Sequence, residues 1–175
     1  TVLMPVFAKD ILHGNSQTLG FLMAGAGVGA IFGALFLASR KNTQGLEKII
    51  PISTITFGSG LIIFSLSRFF IPSLILIALC GFGMMVQMAS CNTFVQSIVE
   101  DDKRGRVMSF YSMAFMGPAP LGSLLAGASA TRIGAPNTLI LGGILCIIGA
   151  IVFISRLSIF NVYKVELQER KSANL

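Results

Sequence analysis

The sequence has few charged residues and no tryptophan. Of its 175 residues, 11% are charged and 54% are hydrophobic, whereas soluble domains carry about 25% charged residues. A soluble single domain is therefore excluded. Disorder is excluded as well, because disordered chains combine low hydrophobicity with high charge. The class that remains is an α-helical protein that crosses the membrane several times.

Groups that carry catalysis or bind metals are also scarce. The single histidine, His13, lies in a predicted loop, and the five apolar runs long enough to cross a membrane contain no Asp, Glu, Lys or Arg. Intramembrane proteases need a histidine beside the nucleophile, or a metal-binding cluster at membrane depth. We therefore expect no enzymatic activity, no metal site and no cofactor. Cys80, Cys91 and Cys146 all lie in apolar runs and are expected to be small buried residues.

Five apolar runs are long enough to cross the membrane, since about 20 helical residues span the hydrocarbon core. They are residues 18–39, 49–67, 73–99, 107–131 and 138–155. Residues 1–12 are interpreted as the end of a sixth span that the chain start cuts, so a fragment of a longer protein is expected. The prediction is an all-α, polytopic membrane helix bundle, with a transmembrane part at 1–160 and a cytoplasmic tail at 161–175.

Basic residues are distributed unevenly between the two sides of the predicted bundle. When the loops are assigned to alternate sides, one side receives only Lys9, Arg68 and Arg132. The other side receives Arg40, Lys41, Lys48, Lys103, Arg104, Arg106, Arg156, Lys164, Arg170 and Lys171. Because cytoplasmic loops are enriched in Lys and Arg, we place this second side and the C-terminus in the cytoplasm. Topology thus explains the net charge of +6, and no nucleic-acid partner is expected.

Small residues recur at four-residue spacing in two of the runs. Gly25, Gly29 and Gly33 share one face of the first run, and Gly122 and Ala126 repeat the pattern in the fourth. Such stripes let two helices approach closely in lipid. Two interpretations stay open, which are tight packing alone and an interface that slides or rocks.

The fourth run contains Gly117, Pro118 and Pro120 near its middle. Each proline removes a backbone donor and clashes with the preceding turn, so a kink is expected there. A kinked helix beside a small-residue stripe favours a helix that moves or lines a cavity.

The third and fourth runs supply the candidates for a substrate pathway. They are Gln87, Met88, Cys91, Phe94, Phe110, Met113 and Met116. Gln87 lies near mid-span, where an unpaired amide is costly, so it either bonds a neighbouring helix or faces a cavity. The methionine and phenylalanine side chains form either ordinary packing or an adaptable apolar wall for a small-molecule substrate.

Residues 102–109 (DKRGRVMS) and 116–127 (MGPAPLGSLLAG) resemble the helix 10–11 loop and helix 11 of major facilitator superfamily transporters. The resemblance is closest to the branch of the enterobactin exporter and the macrolide efflux proteins. It covers nearly the whole chain, from the end of helix 7 through helix 12, and residues 132–136 are similar to the entry into helix 12. Residues 39–42 (SRKN) depart from the family's cytoplasmic motif after helix 8, because the acidic residue and the second glycine are missing.

This resemblance implies the C-terminal six-helix half of a twelve-helix transporter that works by alternating access. The implied partners are a small-molecule substrate, the lipid bilayer and an N-terminal half. The implied function is secondary-active efflux of a drug, siderophore or metabolite, by an antiporter in a bacterial inner membrane. A latch role for Lys103, Arg104 and Arg106 in the cytoplasmic loop is likewise implied. The residues themselves predict that Asp101 or Asp102 caps the helix that follows this loop and opposes its positive N-terminal dipole. An importer of the same fold and a non-transporting membrane scaffold remain the alternatives.

Overall fold

The computed structural model describes residues 3–40 and 45–173, with side chains described as far as residue 156. Helices account for nearly all of this part of the chain, and it contains no strand, which confirms the all-α prediction. The elements are α1 (Met4–Val6), a π-helical turn (Phe7–Ile11), α2 (Ser16–Ala38), α3 (Leu46–Leu66), α4 (Phe70–Ile98), α5 (Arg104–Met116), α6 (Ala119–Ile133) and α7 (Ala135–Ala173).

Local sequence explains where several helices begin and end. The Asn15 side chain accepts hydrogen bonds from the backbone N–H groups of Gln17 (3.0 Å) and Thr18 (3.2 Å). Thr18 Oγ1 accepts a bond from the Asn15 N–H in return (3.3 Å), which completes a capping box at the start of α2. Gly45 before α3 and Gly134 after α6 adopt φ values of 81° and 85°. Glycine pays no steric penalty in this left-handed region.

Four helices are long and apolar enough to span a membrane. They are α2, α3, α4 and the Ala135–Arg156 part of α7, which correspond to the first, second, third and fifth predicted runs. The fourth predicted run differs, because the structure divides it into α5 and α6. The helix of α7 continues to Ala173, so the predicted tail is helical as far as that residue.

Two buried clusters lie at opposite ends of the bundle. The first joins Phe7 and Leu22 near the chain start to Phe64 at the end of α3 and Ile77 early in α4. The second contains Leu46, Ile50 and Phe94, and partly buried Leu37, Ile98 and Phe153 pack against it. The ends of α2 and α4 therefore lie beside the start of α3. Successive spanning helices therefore run in opposite directions, as the topology prediction requires.

Candidate functional site

The three glycines of the α2 stripe lie against α4, which packs between α2 and α3. A Cβ atom at Gly25 would come within 2.7 Å of the Leu74 side chain, and one at Gly33 within 2.9 Å of the Phe82 carbonyl oxygen. At Gly29 the added atom would overlap the Ala78 carbonyl oxygen. Because the obstacle at Gly29 and Gly33 is backbone, glycine is what allows α2 and α4 to approach this closely.

Several glycines that sequence reasoning did not single out make equivalent contacts. A Cβ at Gly81 would overlap the Ala26 carbonyl oxygen, so the α2–α4 approach relies on glycine from both helices. Gly58 and Gly143 face each other between α3 and α7, where an added Cβ would lie 2.8 and 2.6 Å from the opposite carbonyl oxygen. These glycines do not recur every four residues, so no stripe pointed to them in the sequence. The sequence signal that could have found them was the glycine content of α3, α4 and α7.

The second predicted stripe has different surroundings. A Cβ at Gly122 would meet nothing within 4 Å, so Gly122 does not lie at a close helix contact. Ala126, one turn later in α6, lines a cavity instead. In the described part of the chain, α6 packs mainly against α7.

The predicted kink lies at Gly117 and Pro118, where α5 ends and α6 begins, and both residues keep right-handed helical dihedral angles. The Gly117 N–H still donates to the Met113 carbonyl oxygen at 2.8 Å. Pro118 and Pro120 have no N–H, so the usual bonds to the carbonyls four residues earlier, at Ala114 and Met116, do not form. Two backbone carbonyls in the middle of an apolar segment thus lose their helical partners, so each needs another partner from protein or from water in a cavity.

The helices on both sides of this break are poorly covered, and neither contains a buried residue. The candidate side chains Phe110, Met113 and Met116 are all about 70% exposed. Tyr111 and Phe115 stack with ring centroids 6.3 Å apart, and Tyr111 lies near Cys91 of α4. The candidates on α5 therefore form an open apolar surface that touches α4 at only a few points.

The candidates on α4 are divided between two environments. Met88 is exposed and Gln87 is half-buried, and no hydrogen bond joins the Gln87 amide to any other residue that the structure describes. Phe94 is buried against Leu46 and Ile50, with Cys91 packed beside that cluster. The structure therefore brings Phe94 and Cys91 into the packing between α3 and α4, and leaves Gln87 and Met88 at the edge of it.

The charged loop before α5 shows one correction to the sequence analysis. An aspartate was predicted to cap the following helix, but the cap residue is Lys103 and no side chain bonds the free N–H groups there. Asp101 instead pairs with Arg104 at 2.5 Å, and Glu100 pairs with Lys103. All four side chains are largely solvent-exposed, and exposed pairs of this kind add little stability.

Comparison with known proteins bears on these features. A profile of the transmembrane secretion effector family of the major facilitator superfamily matches residues 1–174. The chain belongs to this family. It is thus a multi-pass membrane protein of a transporter superfamily. The staphyloferrin A transporter of Staphylococcus aureus (strain NCTC 8325 / PS 47) is 30% identical over 158 residues.

That alignment covers 89% of this chain and 39% of the relative, so the chain spans well under half the length of the protein it matches. No solved structure gave a significant match. Among the described residues, no three His, Cys, Asp or Glu side chains are grouped so as to hold a metal ion.

Proposed function

We propose that this chain forms the C-terminal half of a secondary transporter that moves a small organic molecule by alternating access. The observation that carries the proposal is that tightly packed helices lie beside helices that are largely exposed. The α2–α4 and α3–α7 pairs are held together at glycine contacts, whereas the broken α5–α6 segment has no buried residue. Rigid packing beside an uncovered, interrupted helix is the arrangement expected where two halves enclose a substrate at the membrane midplane.

Gln87 supports a pathway on the α4 side of this open surface. Sequence reasoning left two roles for its amide, and the structure contains no bond from it to a neighbouring described helix. An amide at this depth requires a polar partner. A substrate or water in a cleft between the two halves meets that requirement.

The substrate class we propose is an organic solute of the siderophore, drug or metabolite type, and the direction is efflux. The Staphylococcus aureus relative is a staphyloferrin A transporter, which favours a siderophore as the substrate. The methionine and phenylalanine side chains around Met113 adapt to ligands of varied shape. Import through the same fold remains the second candidate, because the alignment to that relative specifies no direction.

We place the protein in a bacterial inner membrane with its C-terminus in the cytoplasm. The packing supports this orientation, since the loops with most Lys and Arg follow α2 and α4 at the Leu46–Phe94 end of the bundle. The loops with few basic residues lie at the opposite end.

The test is transport by cells that carry the full-length protein with Gln87→Leu. Leucine nearly matches glutamine in volume, so we expect altered export of a panel of fluorescent solutes and siderophores at unchanged membrane abundance. Gln17→Leu, at the exposed first turn of α2, is the matched control and should transport normally. Met113→Ala should change which solutes are preferred, while Met23→Ala on α2 should not.

Three outcomes would contradict this proposal. If Gln87 only bonds a neighbouring helix, Gln87→Leu costs about 0.6–2 kcal/mol of stability and lowers abundance without changing solute preference. Normal transport by both Gln87→Leu and Met113→Ala would leave these side chains outside the pathway. An absence of any transport by the wild-type protein across the panel would favour a membrane scaffold.

A further inference from the structure

The cleft between α4 and α5 is bordered by Tyr111, a polar residue that has not entered the argument so far. The two helices are joined by the short loop at residues 99–103, so positions equally far from this loop lie at about the same depth. Cys91 lies seven residues before the end of α4 at Ile98, and Tyr111 lies seven residues after the start of α5 at Arg104. The two side chains are also close in space. Tyr111 therefore faces α4 across the cleft.

The exposure of the α5 side chains supports this orientation. Val107, Met108 and Tyr111 are the half-buried residues of α5, and every other residue of the helix is exposed. At 100° per residue these three share one side of the helix, whereas Met113 lies on the opposite side. The side of α5 that turns to α4 is therefore the one that contains Tyr111.

Gln87 borders the same cleft from the α4 side. It precedes Cys91 by four residues, and residues four apart lie on one face of a helix. Four residues rise about 6 Å along the axis, so Gln87 lies about one turn from the level of Tyr111. Phe115 stacks with Tyr111 at a centroid distance of 6.3 Å and, by the same spacing, lies level with Gln87. The two walls of the cleft thus present an amide and a phenol at different depths, with an aromatic ring beside them.

The hydroxyl of Tyr111 differs from the serine hydroxyls of the same two helices. Ser109 donates to the Gly105 carbonyl oxygen at 2.9 Å, and Ser97 donates to the Phe94 carbonyl oxygen at 2.7 Å. A rigid aromatic ring does not let a tyrosine bond its own helix in this way, and the Tyr111 hydroxyl bonds no residue whose side chain the structure describes. A half-buried phenol nevertheless takes a hydrogen-bond partner. That partner has to come from outside α5.

We infer that Tyr111 is a second polar contact for the transported solute, on the wall of the cleft opposite Gln87. This inference rests on the proposed transport function and adds a specificity residue to it. A phenol donates its hydrogen, so Tyr111 suits a solute oxygen in a hydroxyl, carbonyl or carboxylate group. The Phe115 ring suits an apolar or aromatic part of the same molecule. The substrate class is therefore an amphipathic solute with an oxygen acceptor at Tyr111 and a different polar group at Gln87.

The experiment measures transport by cells that carry the full-length protein with Tyr111→Phe. This substitution removes the hydroxyl and keeps the ring that stacks with Phe115. The solutes are a fluorescent parent compound that the wild type transports and analogues that each lack one of its polar groups. We expect the preference for the parent over one oxygen-deficient analogue to fall about 2- to 10-fold, which corresponds to one lost hydrogen bond. Gln87→Leu should reduce the preference at a different polar group.

Ser109→Ala is the matched control, because it removes a hydroxyl from the other side of α5 that already bonds its own helix. It should leave every preference unchanged. If Tyr111→Phe lowers the transport of the parent and all analogues equally, the hydroxyl bonds another part of the protein or a lipid headgroup, and the inference is overturned. Unchanged transport of all solutes would overturn it as well. In both cases the wild type still transports, so the proposed function stands, whereas no transport by the wild type would remove both.

Discussion

Gly29→Ala is the substitution for which the structure specifies the outcome most directly. The added methyl carbon would overlap the Ala78 carbonyl oxygen and lie 2.7 Å from its carbonyl carbon. A backbone oxygen in the middle of α4 has no rotamer by which to move aside. The two helices must therefore separate along the whole α2–α4 interface, and the contacts at Gly25 and Gly33 loosen with them.

The magnitude follows from two opposing effects. Replacing a helical glycine by alanine gains about 1 kcal/mol of helix propensity, while overpacking a well-fitted contact costs about 1–3 kcal/mol. Gly27→Ala isolates the first effect, because a Cβ at Gly27 meets nothing within 4 Å. We therefore expect Gly29→Ala to be less stable than Gly27→Ala by about 1–3 kcal/mol, although both substitutions are chemically identical and lie on the same helix.

The assay is equilibrium unfolding of the purified protein in mixed micelles, titrated with a denaturing detergent. Ala78→Gly provides a further check, since removing the Ala78 methyl group does not move the backbone oxygen and so should not rescue Gly29→Ala. Equal free energies of unfolding for Gly27→Ala and Gly29→Ala would refute the packing argument. Rescue by Ala78→Gly would show that side chains, rather than backbone, set the helix separation.

Two further predictions concern packing and topology. Gly143→Ala should lower the unfolding midpoint, because its Cβ would lie 2.6 Å from the Gly58 carbonyl oxygen, whereas Gly142→Ala, whose Cβ meets nothing within 4 Å, should not; equal midpoints would contradict the α3–α7 contact. Reporter enzymes fused after Leu175 or inserted near Gly45 should read cytoplasmic, and one inserted at Gly14 should read external, so the reverse pattern would overturn the proposed orientation.

The spans were predictable because membrane helices differ from their connections in hydropathy and turn residues. Three of the five predicted runs, the first to the third, correspond to helices that begin and end within a few residues of the predicted limits. The fifth run corresponds to the spanning part of α7, Ala135–Arg156, but the helix itself continues to Ala173. The break in the fourth run was predictable in position, since proline removes backbone donors wherever it stands. The division of this run into two helices was not predictable, because many membrane helices continue through a proline kink.

The aspartate cap before α5 was predicted wrongly for a local reason. Both aspartates stand close enough in sequence to cap a helix that begins at Arg104, but Asp101 pairs with Arg104 itself. A charged loop offers its carboxylates several partners of similar energy, and sequence spacing does not rank them. The same ambiguity does not arise at Asn15, where Thr18 supplies the reciprocal bond that completes the cap.

The faces of the helices were harder to predict than the helices, and the reason is physical. In water an apolar stripe marks the buried side of a helix, but lipid tails are as apolar as leucine, so packed and lipid-facing sides look alike. Only small and polar residues then carry directional information. Gly29 and Gly122 occupy the same kind of stripe, yet an added Cβ would overlap a backbone carbonyl at Gly29 and would meet nothing within 4 Å at Gly122, because a stripe identifies a face and not its partner. A polar side chain is more informative, since an amide at mid-membrane has to meet protein or water. Gln87 has no hydrogen-bond partner on the described helices. The transport proposal is therefore best tested at Gln87.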